Sequence, residues 1–142
     1  MPQPESTIER IMRHEGRVTQ GGLHVVFKDS RNKATLGYGS LVQAPGGLTE
    51  EEAVFLLGNR VDNATEEASK YPWFPEMNAA RQSVIVELLF QLGPTGFNEF
   101  VKMIGALENG NYDAAADELV NSDLGKEAPA RTNELADTLR NG

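Results

Sequence analysis

Near its N-terminus the chain alternates apolar and charged residues with the period of a helix. Ser6 and Glu9 have the spacing of a capping box, in which each side chain accepts a hydrogen bond from the other residue's backbone N–H. The apolar residues that follow fall on one helical face as far as Gly16, a residue type that commonly ends helices. This pattern predicts a first helix over Thr7–Glu15.

The period then changes to that of strands. Gly21-Gly22 is a dipeptide that readily forms a two-residue hairpin turn, and a second polar turn follows at residues 29–33. The flanking segments predict strands at residues 17–20, 23–28 and 34–42. We expect a small antiparallel meander, which needs a helical neighbour because so few strands bury little apolar surface by themselves.

Helical periods occupy the rest of the chain after a loop at residues 43–47. The predicted helices cover residues 50–69, 78–92, 95–108, 112–121 and 129–140. The first of these has an apolar stripe formed by Ala53, Leu56, Leu57, Val61 and Ala64. The segment that ends it, Tyr71-Pro72-Trp73-Phe74-Pro75, is interpreted as a plug of the core rather than a sugar-stacking surface.

The helix at residues 78–92 is predicted to be the buried centre of the helical part, because apolar residues nearly surround its second half. Glu87 interrupts that apolar run. A buried carboxylate is costly without a partner, so we expect Glu87 on a strip that faces solvent or a groove.

The order of the elements predicts an α+β chain that forms one domain over residues 1–142. Within it, residues 16–48 are expected to form a small β lobe. Residues 1–15 and 70–142 are expected to form a helical lobe, and residues 49–69 a helix that connects the two.

Composition narrows the function further. The 142 residues carry a net charge of −8, which argues against a protein that binds nucleic acid by neutralising phosphates. The absence of cysteine excludes disulfides and thiolate metal sites, and two histidines make a poor metal site, so no metal or cofactor is expected. The first residues lack the apolar core of a secretory signal, and no apolar run is long enough to cross a membrane.

Two carboxylates stand where acid–base chemistry is possible. Glu15 falls at the C-terminal end of the first predicted helix, where the helix dipole disfavours the charged form and so suits a proton donor. Asp29 begins a polar turn, where a solvated carboxylate stays ionised and can orient water. Taken alone, both also fit ordinary solvated acids, since isolated Glu and Asp residues are weak signals.

A wider set of segments carries a family resemblance. In chain order the segments are Glu15-Gly16, Asp29, Thr35-Leu36-Gly37-Tyr38-Gly39, Leu89-Phe90-Gln91-Leu92-Gly93, Asn111-Tyr112-Asp113-Ala114-Ala115-Ala116 and Pro129-Ala130-Arg131. This series resembles the phage-type lysozymes of glycoside hydrolase family 24, and within them the T-even type. The resemblance spans nearly the whole chain and implies the two-lobe lysozyme fold.

The resemblance implies a muramidase that cuts the β-1,4 bond between N-acetylmuramic acid and N-acetylglucosamine with inversion. Glu15 would be the general acid, Asp29 would activate the attacking water, and Thr35 would position that water. Gln91 would line the sugar groove. Arg131 matches the family arginine that pairs with the catalytic glutamate.

The family resemblance also implies the setting in which the protein works. Its partner would be a peptidoglycan glycan strand, and it would act as a monomer with neither nucleic acid nor a membrane anchor. It would stay in the host cytoplasm until a separate holin releases it to the wall. Thirteen residues separate Glu15 from Asp29, more than is common in the family. Two alternatives therefore stay open: a glycan-binding domain that does not cut, and a transglycosylase or chitinase-like relative.

Overall fold

The computed structural model describes the backbone of residues 5–16, 19–20, 23–25, 27–28, 34–36, 40–41 and 47–142, and the side chains of residues 5–16 and 48–142. The described chain is mostly helical. It divides into two compact units, Met1–Asn63 and Ala64–Gly142. The predicted grouping of the first helix with the C-terminal helices stays a prediction.

Seven helices and six short strands make up the described elements. The helices are α1 (Thr7–Glu15), α2 (Glu50–Ala68), α3 (Ala79–Asn98), α4 (Val101–Glu108), α5 (Tyr112–Val120), α6 (Asp123–Glu127) and α7 (Pro129–Asn141), with a 3₁₀ turn at Phe74–Glu76. The strands are β1 (Thr19–Gln20), β2 (Leu23–Val25), β3 (Phe27–Lys28), β4 (Ala34–Leu36), β5 (Ser40–Leu41) and β6 (Gly47–Leu48). Pairing is antiparallel, in the orders β1-β2-β6 and β3-β4-β5.

These strands are two or three residues long and fall into two separate groups. Both turns of the predicted meander, Gly21-Gly22 and residues 29–33, lie outside the described residues. The single meander therefore stays a prediction.

The buried face of α2 is narrower than its sequence pattern predicts. Its buried residues are Ala53, Leu57, Val61, Ala64 and Ala68, spaced three or four apart. Leu56 is 39% exposed, so its predicted place in the stripe is wrong. Successive helical residues are rotated by about 100°, which turns Leu56 away from the line that Leu57 follows.

Helix α3 forms the buried centre of its unit, as predicted. Every residue from Val84 to Phe90 is buried, and the Asn78 side chain caps the helix by accepting a hydrogen bond from the Arg81 N–H at 2.9 Å. The predicted break at Gly93 is confirmed, and it forms a kink within α3. Gly93 has φ 73° and ψ 170°, and helical geometry resumes after it as far as Asn98.

The single helix predicted at residues 95–108 is wrong, because α3 ends at Asn98 and α4 begins at Val101. Phe97 and Met103 explain the break, since both are fully buried. Six positions apart in one continuous helix, they would point about 120° away from each other. The irregular backbone at Phe100, with φ −78° and ψ 58°, lets both side chains reach the core.

The C-terminal helices follow the sequence prediction with one addition. Asn111 caps α5 by accepting the Ala114 N–H at 3.2 Å, and Pro129 begins α7. Helix α6 was not predicted, because five residues are too few to show an apolar period. The available signal was Ser122, whose Oγ accepts the Gly125 N–H at 3.3 Å and so caps α6.

The aromatic segment after α2 belongs to the core of the unit Ala64–Gly142. Trp73 and Phe74 are buried, and the ring of Tyr71 stacks on Trp73 with centroids 4.9 Å apart. The Tyr71 ring also meets the edge of Phe97 at 5.5 Å. The interpretation of this segment as a core plug is confirmed.

Candidate functional site

Glu15 is the last residue of α1, and local contacts fix both ends of that helix. At the first end, the Ser6 N–H donates to Glu9 Oε2 at 2.9 Å and the Glu9 N–H donates to Ser6 Oγ at 3.1 Å. At the other end, Gly16 has φ 66° and its N–H donates to the Met12 carbonyl at 3.0 Å. A positive φ is accessible to glycine at little cost, so the helix ends at Glu15.

The rotation of α1 about its axis determines which way Glu15 faces. Ile11 is fully buried, and Glu15 follows it by four residues, on the same side of the helix. Arg13 forms two hydrogen bonds to the Glu5 carboxylate, at 2.9 and 2.8 Å, and this contact lowers the pKa of Glu5. Because it lies on the same side of α1 as the buried Ile11, Glu15 is half-buried rather than fully solvated.

A cation of the same unit acts electrostatically on Glu15. Burial lowers the pKa of the Arg60 guanidinium, and the negative charge of Glu15 opposes that effect. Arg60 follows Leu57 by three residues and precedes Ala64 by four, so it stands on the buried side of α2. Sequence analysis missed Arg60, although a signal existed: it is the one basic residue between Glu50 and Ser69 and interrupts an apolar stripe.

The other predicted residues of the β region are described less fully. Asp29 lies outside the described residues, so the structure does not give its distance from Glu15. The backbone of Thr35 belongs to β4, where Thr35 pairs with Phe27 of β3 and Leu41 of β5. The catalytic roles of Asp29 and Thr35 stay predictions.

In the unit Ala64–Gly142, Arg131 forms an ion pair with Glu87. Arg131 Nε donates to Glu87 Oε2 at 2.9 Å, which ties the first turn of α7 to the middle of α3. The Glu87 side chain is 0% exposed and that of Arg131 is 12% exposed. The expectation that Glu87 faces solvent or a groove is therefore wrong, because the arginine supplies the partner that a buried carboxylate requires.

Gln91 stands one helical turn after Glu87 on the same side of α3. Its Oε1 atom is buried and has no hydrogen-bond partner among the residues that the structure describes. Gly93 and Pro94 come two and three residues later, and Pro94 has no N–H to donate, so the regular helical bonding of α3 is interrupted shortly after Gln91. Glu87, Gln91 and Arg131 thus form a polar cluster, in which Glu87 and Gln91 share one side of α3 and Arg131 of α7 binds Glu87.

The carboxyl group of Glu15 can transfer a proton, and the side chains of Gln91 and Arg131 can bind hydroxyl and amide groups of a ligand. Within residues 5–16 and 48–142, no three His, Cys, Asp or Glu side chains are grouped so that they could hold a metal ion. No helix in the described part of the chain combines the length and the apolar character needed to cross a membrane.

A half-buried carboxyl group at a helix end in one unit, and a Glu–Arg–Gln cluster in the other, supply functional groups of the kind that a glycoside hydrolase uses. The family model described as phage lysozyme matches residues 17–133. Because the match covers most of the chain, the protein belongs to the phage lysozyme family, and it is a lysozyme that hydrolyses peptidoglycan. Gln91 and Arg131 fall inside the matched range, whereas Glu15 precedes it by two residues.

Proposed function

We propose that this lysozyme cleaves the β-1,4 bond between N-acetylmuramic acid and N-acetylglucosamine, with inversion at the anomeric carbon. The proposal assigns the chain to the T-even type within glycoside hydrolase family 24. Membership of the phage lysozyme family supports the substrate class. The observation that carries the mechanism is the setting of Glu15, a half-buried carboxyl group at the end of α1 on which the charge of Arg60 acts.

The reaction needs one acid and one base on opposite faces of the sugar. Glu15 donates its proton to the glycosidic oxygen as the bond from that oxygen to C1 breaks. A water molecule positioned by Thr35 attacks C1 from the other face and gives its proton to Asp29. Inversion requires the two carboxyl groups to be ~6.5–9.5 Å apart, so that the water fits between Asp29 and the sugar.

Gln91 and Arg131 bind the glycan strand in this proposal. Their support is the cluster with Glu87, in which Arg131 of α7 binds Glu87 and Gln91 lies one helical turn after Glu87 on α3. An arginine and a glutamine offer several N–H donors and a carbonyl acceptor, which match the hydroxyl and acetamido groups of the sugars.

The proposed setting follows from the family. The protein acts on a peptidoglycan strand as a monomer, without a metal or cofactor and without a nucleic-acid partner. It waits in the host cytoplasm until a holin opens the membrane.

Replacing Glu15 by Gln tests the mechanism. Loss of the proton donor is expected to lower kcat by about 10²–10⁴-fold, the usual contribution of general acid catalysis. The matched control is Glu108→Gln, since Glu108 is also the last residue of a helix, is exposed and stands in α4. Activity is measured as clearing of permeabilised bacteria and as new reducing ends. A Glu15→Gln variant as active as the control would refute the assignment.

The products separate the remaining alternatives. A hydrolase leaves ordinary reducing ends, whereas a transglycosylase leaves 1,6-anhydro ends. NMR of fresh products shows whether the configuration is inverted. Glycan binding without any new reducing end would favour a binding domain over an enzyme.

A further inference from the structure

The ion pair between Glu87 and Arg131 has one end inside the protein and one end near its surface. Glu87 is 0% exposed, whereas the Arg131 side chain is 12% exposed. The carboxylate is enclosed by the buried run of α3, in which the neighbours Val86 and Leu88 are also buried. The buried carboxylate therefore holds the guanidinium through its Nε atom.

Stability alone is a weak explanation for this pair. Burying two charges carries a large desolvation cost, and apolar replacements of such pairs are often neutral or stabilising. Arg131 is the third residue of α7, where the helix dipole disfavours a cation. The ion pair between Glu87 and Arg131 thus adds little to the stability of the core or of α7.

The pair does control the orientation of Arg131. A guanidinium is planar, so a hydrogen bond from Nε at 2.9 Å restricts the plane in which its other N–H donors lie. Gln91 stands one turn along α3 from Glu87 and belongs to the same polar cluster. A ligand that binds this cluster therefore contacts a guanidinium whose orientation is fixed before binding.

We infer that Glu87 is a positioning residue for the reaction: its buried carboxylate fixes the guanidinium of Arg131 in the orientation that binds the glycan strand. This inference rests on the proposed role of Arg131 in sugar binding. Glu87 acts through Arg131 and does not touch the sugar. Preorganised binding groups lower the cost of ordering the complex, so loss of Glu87 lowers activity without removing any contact to the substrate.

A double-mutant cycle tests the inference. The variants are Glu87→Gln, Arg131→Gln and the double substitution, assayed for kcat/KM on soluble peptidoglycan fragments well below the lowest unfolding temperature of the set. Glu87→Gln is expected to lower kcat/KM by roughly ten- to a hundredfold, as small misplacements in active sites do. The double variant should be no less active than Arg131→Gln. Independent, multiplicative losses would overturn the inference.

Two further variants separate positioning from stability. Glu87→Asp keeps the charge but shortens the side chain, so it should fold even if Glu87→Gln does not, and it should lose less activity. Leu119→Ala removes a fully buried side chain of α5 outside the ion pair and serves as the destabilised control. It should keep the wild-type kcat/KM at a comparable loss of Tm. An equal loss of activity in this control, or wild-type activity in both Glu87 variants, would overturn the inference.

Glu15→Gln, measured in the same assay, distinguishes the two proposals. If Glu15→Gln is fully active, the catalytic assignment fails regardless of Glu87. If Glu15→Gln is inactive and the Glu87 variants are fully active, only the positioning role fails.

Discussion

Arg81 joins three helices of the unit Ala64–Gly142, and its replacement by Gln is expected to destabilise that unit. Its Nε donates to the Leu139 carbonyl at 2.7 Å and its Nη2 to the Arg140 carbonyl at 3.0 Å, so a side chain of α3 caps the end of α7. The guanidinium carbon also lies 4.0 Å from the centre of the Tyr112 ring on α5. Glutamine cannot replace these contacts, because its side chain is shorter and carries no charge.

The free energy of unfolding lost in Arg81→Gln can be estimated from these contacts. A hydrogen bond from a charged donor contributes about 1.5–3 kcal/mol, and a cation–π contact at a partly exposed site about 0.5–1 kcal/mol. Because Arg81 is half-buried and all contacts share one group, the terms do not simply add, and a total of about 2–4 kcal/mol is expected. At about 4 °C per kcal/mol for a chain of this size, Tm falls by about 8–16 °C.

Thermal unfolding followed by circular dichroism measures this change. The matched control is Lys126→Gln, an exposed cation of α6 whose loss should shift Tm by no more than about 2 °C. A cycle with Tyr112→Leu isolates the cation–π contact, because the two substitutions should then be less than additive. An Arg81→Gln variant that unfolds within about 2 °C of the wild type would refute the reasoning.

Another prediction concerns the kink of α3. Gly93→Ala should cost about 1–2 kcal/mol, since its φ of 73° strains any residue with a Cβ although nothing lies within 4 Å of the added atom. The control Gly105→Ala lies in regular helix with equal space and should stabilise by up to about 1 kcal/mol; equal effects in urea unfolding would show that φ is not the cause.

Helix ends could be predicted from sequence wherever a local hydrogen bond determines them. The capping box at Ser6 and the glycine at position 16 define α1 over the predicted residues, and Asn111 begins α5 as expected. These signals involve residues three or four positions apart, so the sequence contains both partners. Membership of the phage lysozyme family also agrees with the resemblance carried by the motifs.

The failures share a different cause, which is dependence on contacts distant in sequence. The break between α3 and α4 follows from the need to bury both Phe97 and Met103, which no local signal records. Leu56 has the apolar character of its neighbours, yet the packing of α2 leaves it partly exposed. The hydrophobic pattern shows which residues can be buried, whereas tertiary packing determines which of them are buried.

Glu87 shows how a charge within an apolar face is better interpreted. The sequence pattern offered two outcomes for it, exposure or a partner, and the expectation of exposure was wrong. Apolar residues on both sides of Glu87 along α3 make exposure the harder outcome, because exposing one side chain would expose its neighbours too. The same reasoning applies to Arg60, which interrupts the apolar stripe of α2 and interacts electrostatically with Glu15. A single charge in an apolar helical face therefore predicts an oppositely charged partner, as Arg131 is for Glu87.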